Sequence, residues 1–95
     1  MRIVYRREAL ADLDRHFSYI GQDRPTAAQR VVERIRHTIE RLGTFPYSGR
    51  QGSVEGTFEL VVPGLPYIAI YRVTDRVEIV AVFHAAVDRN DDERS

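Results

Sequence analysis

Ninety-five residues with 43% hydrophobic content hold one small domain with one modest core. The absence of cysteine excludes disulfides, thiolate metal sites and cysteine nucleophiles, and fits a reducing cytosol. Fourteen basic residues balance fourteen acidic ones; once the acidic stretch 88–95 is set aside, 12 basic residues face 10 acidic ones, far from the excess that marks binding to a phosphate backbone.

The opening segment, MRIVYRREAL, goes into a charged strand pattern without an apolar run of signal-peptide length. No later segment is long enough to span a bilayer, so a cytoplasmic protein without membrane contact is expected. Residues 2–6 alternate as a first short strand, Ile3 and Tyr5 on one face. From Arg7 to Gln22 the period changes, and Leu10, Leu13, Phe17 and Ile20 fall on one helical face that is expected to be core. His16 and Tyr19 lie beside that stripe and form a candidate partner-binding edge.

Asp23, Arg24 and Pro25 end the first helix and start a second, since proline is best tolerated in a first helical turn. Ala28, Val31, Val32, Ile35, Ile39 and Leu42 continue at helical spacing to Gly43, which completes an αα-hairpin. Residues 43–56, GTFPYSGRQGSVEG, carry four glycines and a proline and read as a long loop. Within it, Arg50 is placed to reach the open side of a sheet.

TFELVV, residues 57–62, alternates as a strand, and Pro63 to Pro66 turn the chain. YIAIYRVTDRVEIVAVFH, residues 67–84, reads as a hairpin. With its loop centred on Thr74 and Asp75, Ile70 stands opposite Ile79 and Ile68 opposite Ala81. That register assigns Ile68, Ile70, Ile79, Ala81 and Phe83 to the core. Tyr67, Ala69, Tyr71, Glu78, Val80, Val82 and His84 then form an open face.

The element order predicts an α+β fold: an N-terminal short strand, an αα-hairpin and a three-stranded antiparallel meander, with the helices packed on one face of the sheet. Residues 1–87 form the expected single domain, and 88–95 a polar, flexible tail.

Four segments in this order, ALADLDRHFSYIGQDRPTAAQRVVERIRHTIERL, FPYSGR, GTFELVVPGLPYIAIYRV and VEIVAVFHAAVD, span nearly the whole chain. In order, spacing and residue type the chain resembles the RelE/ParE superfamily of bacterial type II toxins, and its ParE-like branch most. The resemblance implies a toxin held inactive in a hetero-oligomer with a cognate antitoxin, which wraps an extended or helical segment around it. A ParE-like toxin poisons DNA gyrase without catalysis of its own. A RelE-like toxin is an endoribonuclease that cuts messenger RNA on the ribosome, and a third reading is a non-toxic antitoxin-binding module. Two positions depart from the family, which often has basic residues where this chain has Phe58 and Val87.

Cutting RNA without a metal requires a proton-transfer group near the 2′-oxygen and cations around the phosphate. His84 is the candidate acid–base group, with Arg50 and Arg72 as candidate phosphate contacts, if the chain is a nuclease at all. In the ParE-like reading Tyr67, Tyr71, Glu78, Val80, Val82 and His84 form a partner-binding open face, and His16 and Tyr19 a possible antitoxin edge. No metal-ligand spacing and no phosphate-cradling glycine loop is visible, so no cofactor is expected.

Overall fold

Apolar residues recurring every three or four positions produce two amphipathic helices in the computed structural model, which describes residues 1–88. They are α1, Arg7–Gly21, and α2, Pro25–Glu40. Pro25 takes the first turn of α2, where the missing N–H has no helical partner to lose. Beyond Glu40 the chain tightens into one turn of 3-10 helix, Arg41–Gly43, which buries Leu42. No helix among the described residues is long and apolar enough to cross a membrane.

Five strands form one sheet: β1, Ile3–Tyr5; β2, Arg50–Gln51; β3, Phe58–Val61; β4, Tyr67–Val73; and β5, Val77–His84. The order is β1-β5-β4-β3-β2. β3, β4 and β5 form the expected antiparallel meander, β2 extends it beyond β3, and β1 joins β5 in parallel. The glycine-rich stretch 43–56 is therefore not wholly irregular, because β2 lies within it.

Both helices lie on one face of the sheet. Ala9, Leu13, Ile35, Ile39 and Leu42 meet Ala69, Tyr71, Val77, Ile79 and Val82 in a single buried cluster. Each fully buried isoleucine there contributes about 2 kcal/mol by removal from water.

The α1 stripe is rotated from its expected position. Ala9, Leu13 and His16 are buried, whereas Leu10 and Phe17 are exposed along the outer seam with Val32 and Arg36. Apolar periodicity overlooked His16 because a polar residue is absent from such a stripe, yet this one finds a partner in the sheet.

The hairpin register also differs. The loop has three residues, Thr74 to Arg76, since Val73 pairs with Val77. Farther along, Tyr71 pairs with Ile79 and Ile70 with Ala81, leaving Val80 as an extra residue in a β-bulge. A single-residue slip moves every following side chain to the other face. Tyr67, Ala69, Tyr71 and Val82 therefore face the helices and are buried, and the expected open face is corrected at these positions. Ile70, Ala81 and Phe83, assigned to the core, share the opposite face with Arg72 and Glu78, whereas Ile68 lies on that face too and is nevertheless buried.

Candidate functional site

β1 covers only Val77 to Ile79 of the eight-residue β5. Among the described residues no strand neighbours the outer edge of β5 beyond Ile79, and polar side chains take its place. Asp12 Oδ2 accepts the backbone N–H of Val82 at 2.9 Å, and His16 Nε2 donates to the Val82 carbonyl at 2.9 Å. Asp88 Oδ2 accepts the backbone N–H of His84 at 2.7 Å. Arg15 ties the carboxylates together, at 3.1 Å from Asp88 and 3.4 Å from Asp12. Two residues one helical turn apart on α1, Asp12 and His16, thus satisfy both backbone groups of Val82.

These contacts set the protonation states. Burial pushes the His16 pKa down, since the charged ring would lose its water, although the Val82 carbonyl opposes this. Burial would raise the Asp88 pKa, but the His84 N–H and the Arg15 guanidinium outweigh it and hold the carboxyl below its ordinary value. The Tyr67 ring stands between His16, at 4.9 Å, and His84, at 5.2 Å, both edge-on. Burial, then the Asp88 charge, raises its hydroxyl pKa.

His84 ends β5 and caps the turn that follows. Its Nδ1 accepts from the N–H groups of Ala86, at 3.2 Å, and Val87, at 3.1 Å. An Nδ1 that accepts two N–H groups of the turn is committed to a structural role.

The outward face has a different character. Glu78 accepts from Arg6 at 3.4 Å and Arg76 at 3.1 Å, and Glu59 pairs with Arg50 at 3.0 Å. Arg72, in register with Glu78, places Nη1 3.4 Å from the Glu55 carbonyl. Much of the positive charge on this face is thus already matched by carboxylates.

The three residues proposed for RNA cleavage are not brought together. His84 lies on the helix-covered side opposite Tyr67, whereas Arg50 and Arg72 belong to the outward face. Tyr67 and Arg72 are separated by about 17 Å along β4 at about 3.3 Å per residue. Of the proposed partner-binding residues, Glu78 faces outward and Val80 occupies the bulge, while Tyr67, Tyr71 and Val82 are interior. On α1, His16 is buried in the β5 clasp and Tyr19 is 72% exposed. The clasp was missed as a unit. Its signal was present, since a three-residue strand cannot cover an eight-residue one and Asp12 and His16 share a helical face.

A second group of residues missed by sequence reasoning surrounds Phe58. Phe58 and Tyr71, in register across β3 and β4, stack at 5.4 Å, and Tyr47 meets Phe58 edge-on at 5.7 Å. The Tyr71 hydroxyl accepts the N–H of Gly49 at 3.0 Å, which fastens the preceding loop to the sheet. The apolar Phe58 is thus part of an aromatic stack.

An αα-hairpin on one face of a sheet whose first strand lies parallel to its last defines the RelE/ParE class of small toxin folds. The profile of the ParE toxin of the type II toxin-antitoxin system parDE matches residues 3–89. Y4kP of Sinorhizobium fredii, described as a toxin candidate, is 45% identical over 84 residues, covering 88% of each chain. Toxin RelE2 of Caulobacter vibrioides is 40% identical over 86 residues, covering 90% of this chain and 96% of that protein. A chain of the chromosomal ParDE toxin-antitoxin system from P. aeruginosa superposes with a TM-score of 0.82 at 25% identity, covering 88% of this chain and 95% of that one. The chain belongs to the ParE toxin family of type II toxin-antitoxin systems. That membership implies an antitoxin partner.

Proposed function

We propose that this toxin acts as a docking protein that binds DNA gyrase and stabilises its cleaved DNA complex, with no catalytic step of its own. The observation that carries this reading is the separation of the candidate catalytic groups. The Nδ1 of His84 is occupied by the turn it caps, and Arg50 and Arg72 belong to the other face of the sheet.

Metal-free RNA cleavage depends on cations preorganised around the phosphate, and loss of one such donor lowers the rate by about 10² to 10³. Arg50 is engaged by Glu59, and Arg6 and Arg76 by Glu78, so among the described residues the outward face offers few free cations beside a proton-transfer group. That arrangement favours recognition of a protein surface over transition-state stabilisation. Incubating the purified chain with gyrase and supercoiled plasmid tests the reading: trapped linear DNA is expected, and ribosome-dependent cuts in messenger RNA without gyrase-mediated cleavage would replace it by the endoribonuclease reading.

A further inference from the structure

The arginines of this chain fall into two groups. Arg6 and Arg76 are engaged by Glu78, Arg15 by Asp12 and Asp88, and Arg50 by Glu59. Arg30, Arg34 and Arg41 are exposed and pair with no carboxylate among the described residues. The overall balance of 14 basic and 14 acidic residues therefore hides a local excess.

That excess is ordered. Counted from Arg30, Arg34, His37 and Arg41 follow at i+4, i+7 and i+11, a spacing that stacks all four on one face of α2 and its 3-10 extension. At about 1.5 Å per residue the stripe is about 16 Å long. Arg30, Glu33, Arg34 and His37 line a shallow depression of about 330 Å³ on it. Glu33 and Glu40 flank one side of the stripe, and Glu33 accepts from Gln29 Nε2 at 3.4 Å. Arg34 is anchored, since one of its N–H groups donates to the Pro63 carbonyl at 2.7 Å and the others are left for a ligand.

We propose that this face of α2 binds the phosphate backbone of duplex DNA without reading its sequence. A straight row of cations matches a stiff, linear polyanion, which presents one phosphate per strand about every 3.4 Å of its axis. No aromatic side chain lines the depression, so single-stranded nucleic acid, which is held by stacking, has no platform there. No large apolar side chain lines it either, so an acidic protein segment finds charge but no anchor. Contacts to phosphate alone fix position and carry no sequence information. The inference goes beyond the gyrase reading and does not depend on it.

Fluorescence anisotropy of short labelled duplexes of two unrelated sequences, titrated with the full chain at several salt concentrations, tests the site. Both duplexes are expected to bind alike, with log affinity falling against log salt at a slope of about −2.7, from about 0.9 for each arginine that neutralises a phosphate. Arg30→Gln and Arg34→Gln are each expected to weaken binding by about threefold or more and to flatten the slope by about 1. Arg7→Gln, which removes the same charge at the start of α1, is expected to weaken it by less than about twofold, with thermal midpoints confirming that all three variants fold. A slope shallower than about −1, or both stripe variants binding within about twofold of the parent chain, would overturn the proposal. An equal loss in Arg7→Gln would overturn it in favour of diffuse charge. Tighter binding of single-stranded RNA, lost in the stripe variants, would replace DNA by RNA. Weakened antitoxin binding in those variants with duplex affinity unchanged would replace it by an acidic protein segment. Because no gyrase is present, failure here leaves the gyrase test unaffected.

Discussion

His16 on α1 donates its Nε2–H to the backbone carbonyl of Val82 on β5 at 2.9 Å. The contact exists because β1 leaves this part of β5 uncovered, and it requires the ring to carry a proton on Nε2.

The depressed pKa of His16 makes stability pH-dependent in a defined direction. The unfolded chain takes up a proton near pH 6.5, the folded one only at lower pH, so stability present above about 6.5 is lost as the pH falls through the folded value. Asp88, also depressed, adds a second loss below about pH 4. Urea midpoints for the parent chain are expected to fall between pH 7 and 5. His16→Gln, which keeps an N–H donor without the titration, is expected to flatten that interval while retaining the acid loss.

Asp12 tests the other half of the clasp. Asp12→Ala leaves the Val82 N–H without its acceptor, an expected destabilisation of about 1–3 kcal/mol, whereas Asp12→Asn keeps an oxygen there and is expected to lose less. Chemical denaturation of the two variants checks the order, and equal losses would assign the effect to charge instead of the hydrogen bond.

Gly49 is required by close approach. A Cβ at this position would lie 2.6 Å from the Tyr71 hydroxyl and 2.7 Å from the Glu59 carbonyl. Gly49→Ala is expected to destabilise the chain by about 1–3 kcal/mol through overpacking. Tyr71→Phe, which removes only the acceptor of the Gly49 N–H, is expected to cost about 1 kcal/mol. Thermal unfolding of both variants measures the difference.

The sequence disclosed the element order, because period changes between strand and helix are local: α1, α2 and the β3–β5 meander all fall where alternation and three- or four-residue spacing place them. The site was less legible. The three-residue loop at Thr74 to Arg76 and the bulge at Val80 each shift register by one residue, and neither leaves a local signal as strong as the alternation itself. Tyr67 and Tyr71 were consequently read as outward, and His16 as exposed, although all three are buried. A buried histidine is recognised only from its partner, and Val82 lies 66 residues away in the chain.

His84 separates a structural role from a catalytic one. His84→Ala removes the acceptor for the Ala86 and Val87 N–H groups and one of the rings against Tyr67. A loss of about 1 kcal/mol of stability is expected. Growth inhibition at matched levels of folded protein is expected to persist, and loss of toxicity in a folded His84→Ala chain would assign His84 a direct role in the reaction.

The most direct measurement is the fate of DNA when the purified chain meets gyrase. With supercoiled plasmid, ATP and excess toxin, a denaturant quench is expected to release linear DNA in an amount that follows toxin concentration, equally for the parent chain and His84→Ala. Intact plasmid under these conditions, together with codon-spaced cuts in messenger RNA on programmed ribosomes, would contradict the account.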